Sequence, residues 1–251
     1  MNCTRSHSPD SLFSESDDET AQNYKGLKIA KRIAPDIPGL WVFPSLLSDD
    51  VARMTLDAIA SSNVFSCGQR DQVMLFESPK LDSREESSLP IYINNLIDQL
   101  KDLLDDEVSK ETIDLLFNQN LSRQVILNLY QPGKGIKLHI DLPNRYSDGI
   151  LGCSLIGGCV MILNNNNKNE VEHEHKIYMP PRTVYILSGE SRWEWEHGIE
   201  ENIYEDLVEN ESEIGIGTGI GGIGAGSETI LRDLRVSITF RWMKQGADVL
   251  S

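Results

Sequence analysis

Apolar and polar positions divide the chain into a polar start, a helical first half and a strand-rich second half. Residues 1–24 hold few large apolar side chains and many Ser and acids, too little to offset the entropy of ordering. Residues 1–35 are accordingly expected to form a disordered, acidic, Ser-rich tail, with one folded domain over 36–251. Pro38-Gly39-Leu40-Trp41-Val42-Phe43 reads as a short strand entering that domain. Ser48 stands where a helix cap is wanted, ahead of Val51, Met54 and Ala58 on one face. Val73-Met74-Leu75-Phe76 is a strand candidate. Pro90 then opens a second helix, with Ile93, Leu96, Ile97, Leu100 and Leu104 as its apolar stripe.

From residue 123 the pattern shortens to strands and turns. Val125–Tyr130 is followed by the turn Gln131–Gly135. Further strands are expected at Ile150–Leu155, Cys159–Leu163, His175–Met179, Val184–Leu187 and Val236–Trp242, with Asn164–Asn167 as a hairpin loop. Many short strands between turn signals predict a sandwich or barrel. With the helices first, the expected fold class is α+β around a jelly-roll core. Residues 205–229 are expected to loop out as an acidic, Gly-rich insertion. GxGxxG occurs there at Gly217/Gly219/Gly222 and at Gly219/Gly221/Gly224. A dinucleotide fingerprint needs a strand before it and a helix after it; the sequence offers neither, so that reading is rejected.

Charge changes this picture only locally. The 251 residues are 39% hydrophobic, which is ordinary globular content, and their net charge is −16. Residues 1–24 account for −4 of it and residues 200–228 for −8, so the remaining body carries about −4. Tight, salt-driven, nonspecific nucleic-acid binding is therefore not expected, although nucleic acid is not excluded as a partner. The four cysteines are too scattered for a disulfide framework, and no apolar run is long enough for a membrane span. The expected setting is a monomer in the cytoplasm or nucleus.

The candidate chemistry lies in His139-Ile140-Asp141 and His197, drawn from only five histidines. In extended chain His139 and Asp141 point to one face. Two imidazoles and one carboxylate make the facial set that holds Fe(II) with positions left open for a co-substrate and O₂. In Arg235-Val-Ser-Ile-Thr-Phe-Arg241, alternation separates Arg235, Ser237, Thr239 and Arg241 from Val236, Ile238 and Phe240. Such a strand is either an edge with a solvated face or a barrel wall whose Arg recognises a carboxylate bidentately. Asn128 and Tyr130 share a face one strand upstream of His139. A zinc pair on His173 and His175 is the competing metal reading, and surface histidines in a Glu-rich segment are favoured over it.

Asn128-Leu-Tyr130-Gln-Pro132-Gly133, His139-x-Asp141, Ser188-Gly-Glu-Ser-Arg192, His197-Gly198-Ile199 and Arg235-x₅-Arg241 follow one another in order. As an ordered set, over about residues 38–245, they resemble the AlkB family of Fe(II)/2-oxoglutarate dioxygenases. The stretch GESRWEWEHGI is most similar to the branch with the tRNA wobble-uridine hydroxylase domain. The resemblance implies a double-stranded β-helix with an N-terminal substrate-recognition lid. It implies His139, Asp141 and His197 as iron ligands and Arg235 on the distal carboxylate of 2-oxoglutarate. Asn128 and Tyr130 would hydrogen-bond the same co-substrate, with Ser237 beside them. Arg241 would line the pocket near substrate and the metal-binding carboxylate. The implied reaction oxidises 2-oxoglutarate to succinate and CO₂ while a substrate C–H bond is hydroxylated; a hydroxylated N-methyl group then leaves as formaldehyde. Pro143 departs from the pattern, because the DNA-repair prototype has an acid there that helps to read the damaged base. The expected substrate is nucleic acid, RNA or tRNA before DNA. The alternatives are a protein side chain, such as one on a basic tail, and a non-catalytic binding module of the same fold.

Overall fold

Alternation in the second half of the chain resolves into two facing sheets, with helices packed on the outside of one of them. The computed structural model describes residues 29–77, 87–165, 173–208 and 227–247. The elements are β1 (Ala30–Lys31), β2 (Leu40–Phe43), α1 (Asp49–Ser62), β3 (Gln72–Glu77), α2 (Ile91–Asp105) and α3 (Lys110–Phe117). They continue with β4 (Arg123–Tyr130), β5 (Ile136–His139), β6 (Ile150–Ile156), β7 (Cys159–Asn164), β8 (Glu174–Met179) and β9 (Val184–Leu187). The last are α4 (Gly189–Trp193), β10 (Glu196–Ile199), β11 (Tyr204–Val208), β12 (Ser227–Leu231) and β13 (Arg235–Trp242). One sheet runs β12-β11-β1-β8-β7-β10-β5 and the other β2-β9-β6-β13-β4-β3. This is the expected α+β jelly roll.

The larger core lies between the helices and the second sheet. Ile93, Leu96, Ile97, Leu100 and Leu104 of α2 meet Leu127, Leu151, Ile186 and Ile238 there. These are the five positions read from helical spacing, and each such burial stabilises by about 1.5–3 kcal/mol. Between the sheets, Cys159, Met161, Leu163, Ile177, Met179 and Trp195 form a second cluster. Ala30, Val160, Tyr178 and Leu207 make a third. Among the described residues no helix is long and apolar enough to cross a membrane.

The structure corrects several expectations. Ser48 does cap α1, accepting from the Val51 N–H at 3.2 Å, but the buried face is Ala52, Thr55 and Ile59, while Met54 is exposed. Thr55 enters the core because its hydroxyl donates to the Val51 carbonyl at 2.8 Å, so its polarity is satisfied within the helix. Helix α3 was not anticipated. It is short, opens with polar residues and buries Ile113, Leu116 and Phe117 against the other helices. The disordered tail cannot extend to residue 35: β1 pairs in parallel with β8 and β11, and Ala30 and Ile37 are buried. The insertion is also narrower than 205–229, because β11 and β12 form an antiparallel ladder from Tyr204↔Leu231 to Val208↔Ser227. Glu205, acidic yet buried, lies 3.6 Å from Arg232, and Leu207 is in the third cluster. Residues 1–28 and the Gly/Ile stretch 213–226 lie outside the described residues.

Candidate functional site

In the antiparallel β4–β13 ladder, Arg235 stands opposite Tyr130, Ser237 opposite Asn128, Thr239 opposite Ile126 and Arg241 opposite Gln124. Alternation sends all eight side chains to one face, and all line one cavity of about 740 Å³ between the sheets. The opposite face of β13, Val236, Ile238 and Phe240, belongs to the helix-covered core. The edge-strand reading therefore fails: β13 lies between β4 and β6, with Arg235 and Ser237 buried. β3 contributes Gln72, Met74 and Phe76 to the same cavity, and Met74 and Phe76 are exposed at its wall.

The facing sheet supplies the ligand-type residues. His197 of β10 is opposite His139 of β5, and their ring centroids are 4.5 Å apart. Strand β10 approaches this closely because residue 198 is glycine; a Cβ there would lie 2.9 Å from the Ile136 carbonyl oxygen and 2.9 Å from the Leu138 nitrogen. Asp141 follows β5, with its Oδ2 3.6 Å from His197 Nε2. One donor atom from each of the three lies within 4.8 Å of the others, so the trio could hold a metal ion. His139 Nδ1 is 2.8 Å from the Lys137 carbonyl oxygen, to which it donates, so Nε2 is the nitrogen not engaged by the backbone. Burial, then His139 and Arg192, push His197 down to about 3, so its imidazole is neutral and able to coordinate. Asp141 Oδ1 accepts from Arg241 Nη1, while Arg241 Nε donates to Gln124 Oε1 at 2.8 Å. The Arg241 guanidinium lies 3.7 Å from the centroid of the Tyr146 ring. Burial lowers Arg241 to about 10, which leaves it cationic at neutral pH.

Arg235 is the other charged feature. It is buried, donates from Nη2 to Ser154 Oγ at 2.9 Å and packs against the Tyr130 ring at 5.1 Å. Burial opposes its charge, but Cys159, Tyr130 and Tyr185 around it hold it above its ordinary value. Its Nε has no hydrogen-bond partner, and among the described residues no carboxylate pairs with it. A buried cation left in this way fits an anionic ligand. Burial raises Tyr130, which is therefore a neutral phenol.

Every residue expected at the site thus lines this cavity: His139, Asp141, His197, Asn128, Tyr130, Arg235, Ser237 and Arg241. His173 and His175 do not; the His175 ring is 5.5 Å from that of Trp195. Sequence reading missed Ser154, Gln124, Tyr146 and Tyr185. Gly152 and Ser154, alternating with Leu151, Cys153 and Leu155, are the signal that one face of β6 is not core.

A family model described as the 2OG-Fe(II) oxygenase superfamily matches residues 61–241. An uncharacterized protein of Acanthamoeba polyphaga mimivirus is 26% identical over 215 residues, covering 85% of this chain and 89% of that one. The tRNA (carboxymethyluridine(34)-5-O)-methyltransferase of Xenopus tropicalis is 36% identical over 120 residues, covering 47% of this chain and 18% of that protein. The Macaca fascicularis methyltransferase of the same name is 26% identical over 215 residues, covering 83% of this chain and 31% of that one. The chain therefore spans less than a third of the length of those two methyltransferases. A prolyl-4-hydroxylase of Pseudomonas putida aligns with a TM-score of 0.46 at 13% identity, over 83% of this chain and 94% of that one.

Proposed function

Since this chain belongs to the 2OG-Fe(II) oxygenase superfamily, and within it to the AlkB-like enzymes, we propose that it oxidises a C–H bond of a modified nucleic acid, with RNA favoured over DNA. The observation that carries this reading is one cavity with a His–Asp–His cluster and a buried Arg that lacks a carboxylate. Fe(II), 2-oxoglutarate and O₂ together supply the oxidant that hydroxylates the substrate carbon, as 2-oxoglutarate becomes succinate and CO₂. His139, Asp141 and His197 would hold the metal. Arg241 fixes Asp141 through one carboxylate oxygen, so that the other would be available to the ion. Arg235, oriented by Ser154, forks the distal carboxylate of 2-oxoglutarate, and Tyr130 and Asn128 hydrogen-bond the same molecule. Ser237 stands beside them. Met74, Phe76 and Leu142, apolar and exposed along the cavity wall, receive a base and keep water from the reacting carbon.

Support for nucleic acid comes from the relatives' names, a tRNA methyltransferase and a Caenorhabditis elegans DNA N6-methyl adenine demethylase that is 33% identical over 64 residues. Residues on and beside the cavity wall add to it. Arg145 lines the cavity, its carbonyl accepts from the Lys244 N–H, and Lys244 Nζ lies 5.3 Å from the Trp193 ring centroid. Cations interleaved with an aromatic ring suit a phosphate and a base. Incubation of anaerobically iron-loaded protein with modified tRNA, methylated DNA and histone peptides, followed by succinate release and product mass, is the test. Turnover coupled to tRNA is expected. Turnover coupled only to peptide moves the substrate to protein, and none with any class supports a binding module.

A further inference from the structure

We propose that Tyr185 is a second phenol donating to the 2-oxoglutarate carboxylate, opposite Tyr130, and that its ring sets the length of 2-oxo acid the cavity accepts. This rests on the assignment of Arg235 to that carboxylate.

The placement follows from a row across three strands. Tyr185 of β9 stands opposite Gly152 of β6, and Gly152 stands opposite Thr239 of β13. A Cβ on residue 152 would lie 2.1 Å from Tyr185 Cζ and 2.4 Å from its hydroxyl. The ring therefore lies across the backbone of β6 in space that only glycine leaves, and its tip is carried toward β13. There the hydroxyl comes within hydrogen-bonding reach of Thr239 and close enough to Arg235 for the guanidinium charge to act on the phenol. Neighbours Val184 and Ile186 point the other way, into the helix-covered core, while Tyr185 lines the cavity. Its stem packs on the apolar cluster between the sheets.

Thr239 lies within reach of the phenol oxygen, which leaves the phenol proton to find an acceptor beside Arg235. Arg235 Nε is unpartnered, and a carboxylate arriving to pair with it meets Tyr130 and Tyr185 as neighbouring donors. Burial pushes Tyr185 up to about 12, which keeps its proton in place for donation. The same ring lies across β6, so an acid one methylene longer would have to displace it.

The test is calorimetric binding of 2-oxoglutarate and of 2-oxoadipate to the full chain loaded with Mn(II) under anaerobic conditions. Parent, Tyr185→Phe, Tyr185→Leu and Arg235→Ala are compared, with thermal melting as a check of folding. Losing a hydrogen bond to a charged group should weaken 2-oxoglutarate binding about tenfold or more in Tyr185→Phe, with little change in melting. Tyr185→Leu should narrow the preference for 2-oxoglutarate over 2-oxoadipate. Parental 2-oxoglutarate affinity in Tyr185→Phe overturns the proposal, as does a parental preference in folded Tyr185→Leu. Parental binding in Arg235→Ala would instead remove the site assignment beneath it. Loss of binding there, with no effect in either Tyr185 variant, would leave that assignment standing and sink only this inference.

Discussion

Breaking a buried charge pair costs about 3–5 kcal/mol, because the remaining charge cannot return to water. Arg235, buried and without a carboxylate of its own, is the residue to which this applies. Arg235→Ala is expected to raise the half-saturating 2-oxoglutarate concentration by roughly several hundred-fold while metal binding persists. Arg235→Lys should recover only part of the loss, since an ammonium cannot form the two-pronged contact. Steady-state kinetics over a co-substrate series will measure both. His139→Ala, Asp141→Ala and His197→Ala should each abolish stoichiometric Mn(II) or Fe(II) binding, because two donors do not make a facial site. His175→Ala, outside the cavity against Trp195, should bind metal like the parent. Equal loss in His175→Ala and His139→Ala would contradict the metal assignment. At this scale the meeting of His139, Asp141, His197, Arg235 and Tyr130 in one cavity was legible, because their types and order in the chain mark them. Ser154 and Tyr185 were not, because what each faces is set by a residue of another strand.

Strand β6 illustrates how elements tune the site. Its inner face presents Ile150, Gly152 and Ser154, and the last two make room for Tyr185 and orient Arg235. Gly152→Ala should destabilise by about 1–3 kcal/mol, the usual cost of overpacking a filled site. In a Tyr185→Leu background the same substitution should cost much less, and urea unfolding of the four proteins gives the coupling. Additive effects would mean that the Tyr185 ring does not occupy the space over residue 152. Helix α2 was fully legible because its five apolar positions repeat at helical spacing. In α1 the start was legible from Ser48 but the buried face was not, since Thr55 satisfies its hydroxyl within the helix. Helix α3 escaped because its burial is set by what packs on it; even the Trp242 indole of β13 donates to its Leu115 and Leu116 carbonyls.

For the whole molecule, the placement of the acidic segments decides what removing them does. Residues 1–24 and 209–226 carry seven of the sixteen net negative charges. Their deletion leaves the β11–β12 ladder and the Glu205–Arg232 pair in place, so cooperative melting should be retained. Removing all of 205–229 instead deletes the buried Leu207 and exposes Arg232, and should lower the melting temperature by several degrees, roughly the effect of 1–2 kcal/mol. With an RNA substrate, the 1–24 and 209–226 deletion should strengthen tRNA association, most at low salt, where self-repulsion is least screened. With a basic peptide substrate the sign reverses. A salt series on intact and deleted protein distinguishes the two, and no change with either ligand would mean that these segments do not tune partner choice.

The sequence alone determined the fold class, the long helix, most of the strands and, through motifs that resemble a known family, eight of the residues that meet in the cavity, because those follow from periodicities and residue types carried within short segments. The face of each side chain also followed where alternation was strict, as in Arg235, Ser237, Thr239 and Arg241. Tertiary structure decided what depends on a partner distant in the chain. The acid at Glu205 is buried because Arg232 lies beside it, and Ala30 is strand because β8 and β11 flank it. Gly152 matters only because Tyr185 is its cross-strand neighbour. Each of these outcomes is fixed by the energy of a contact between segments, and one segment by itself does not contain it.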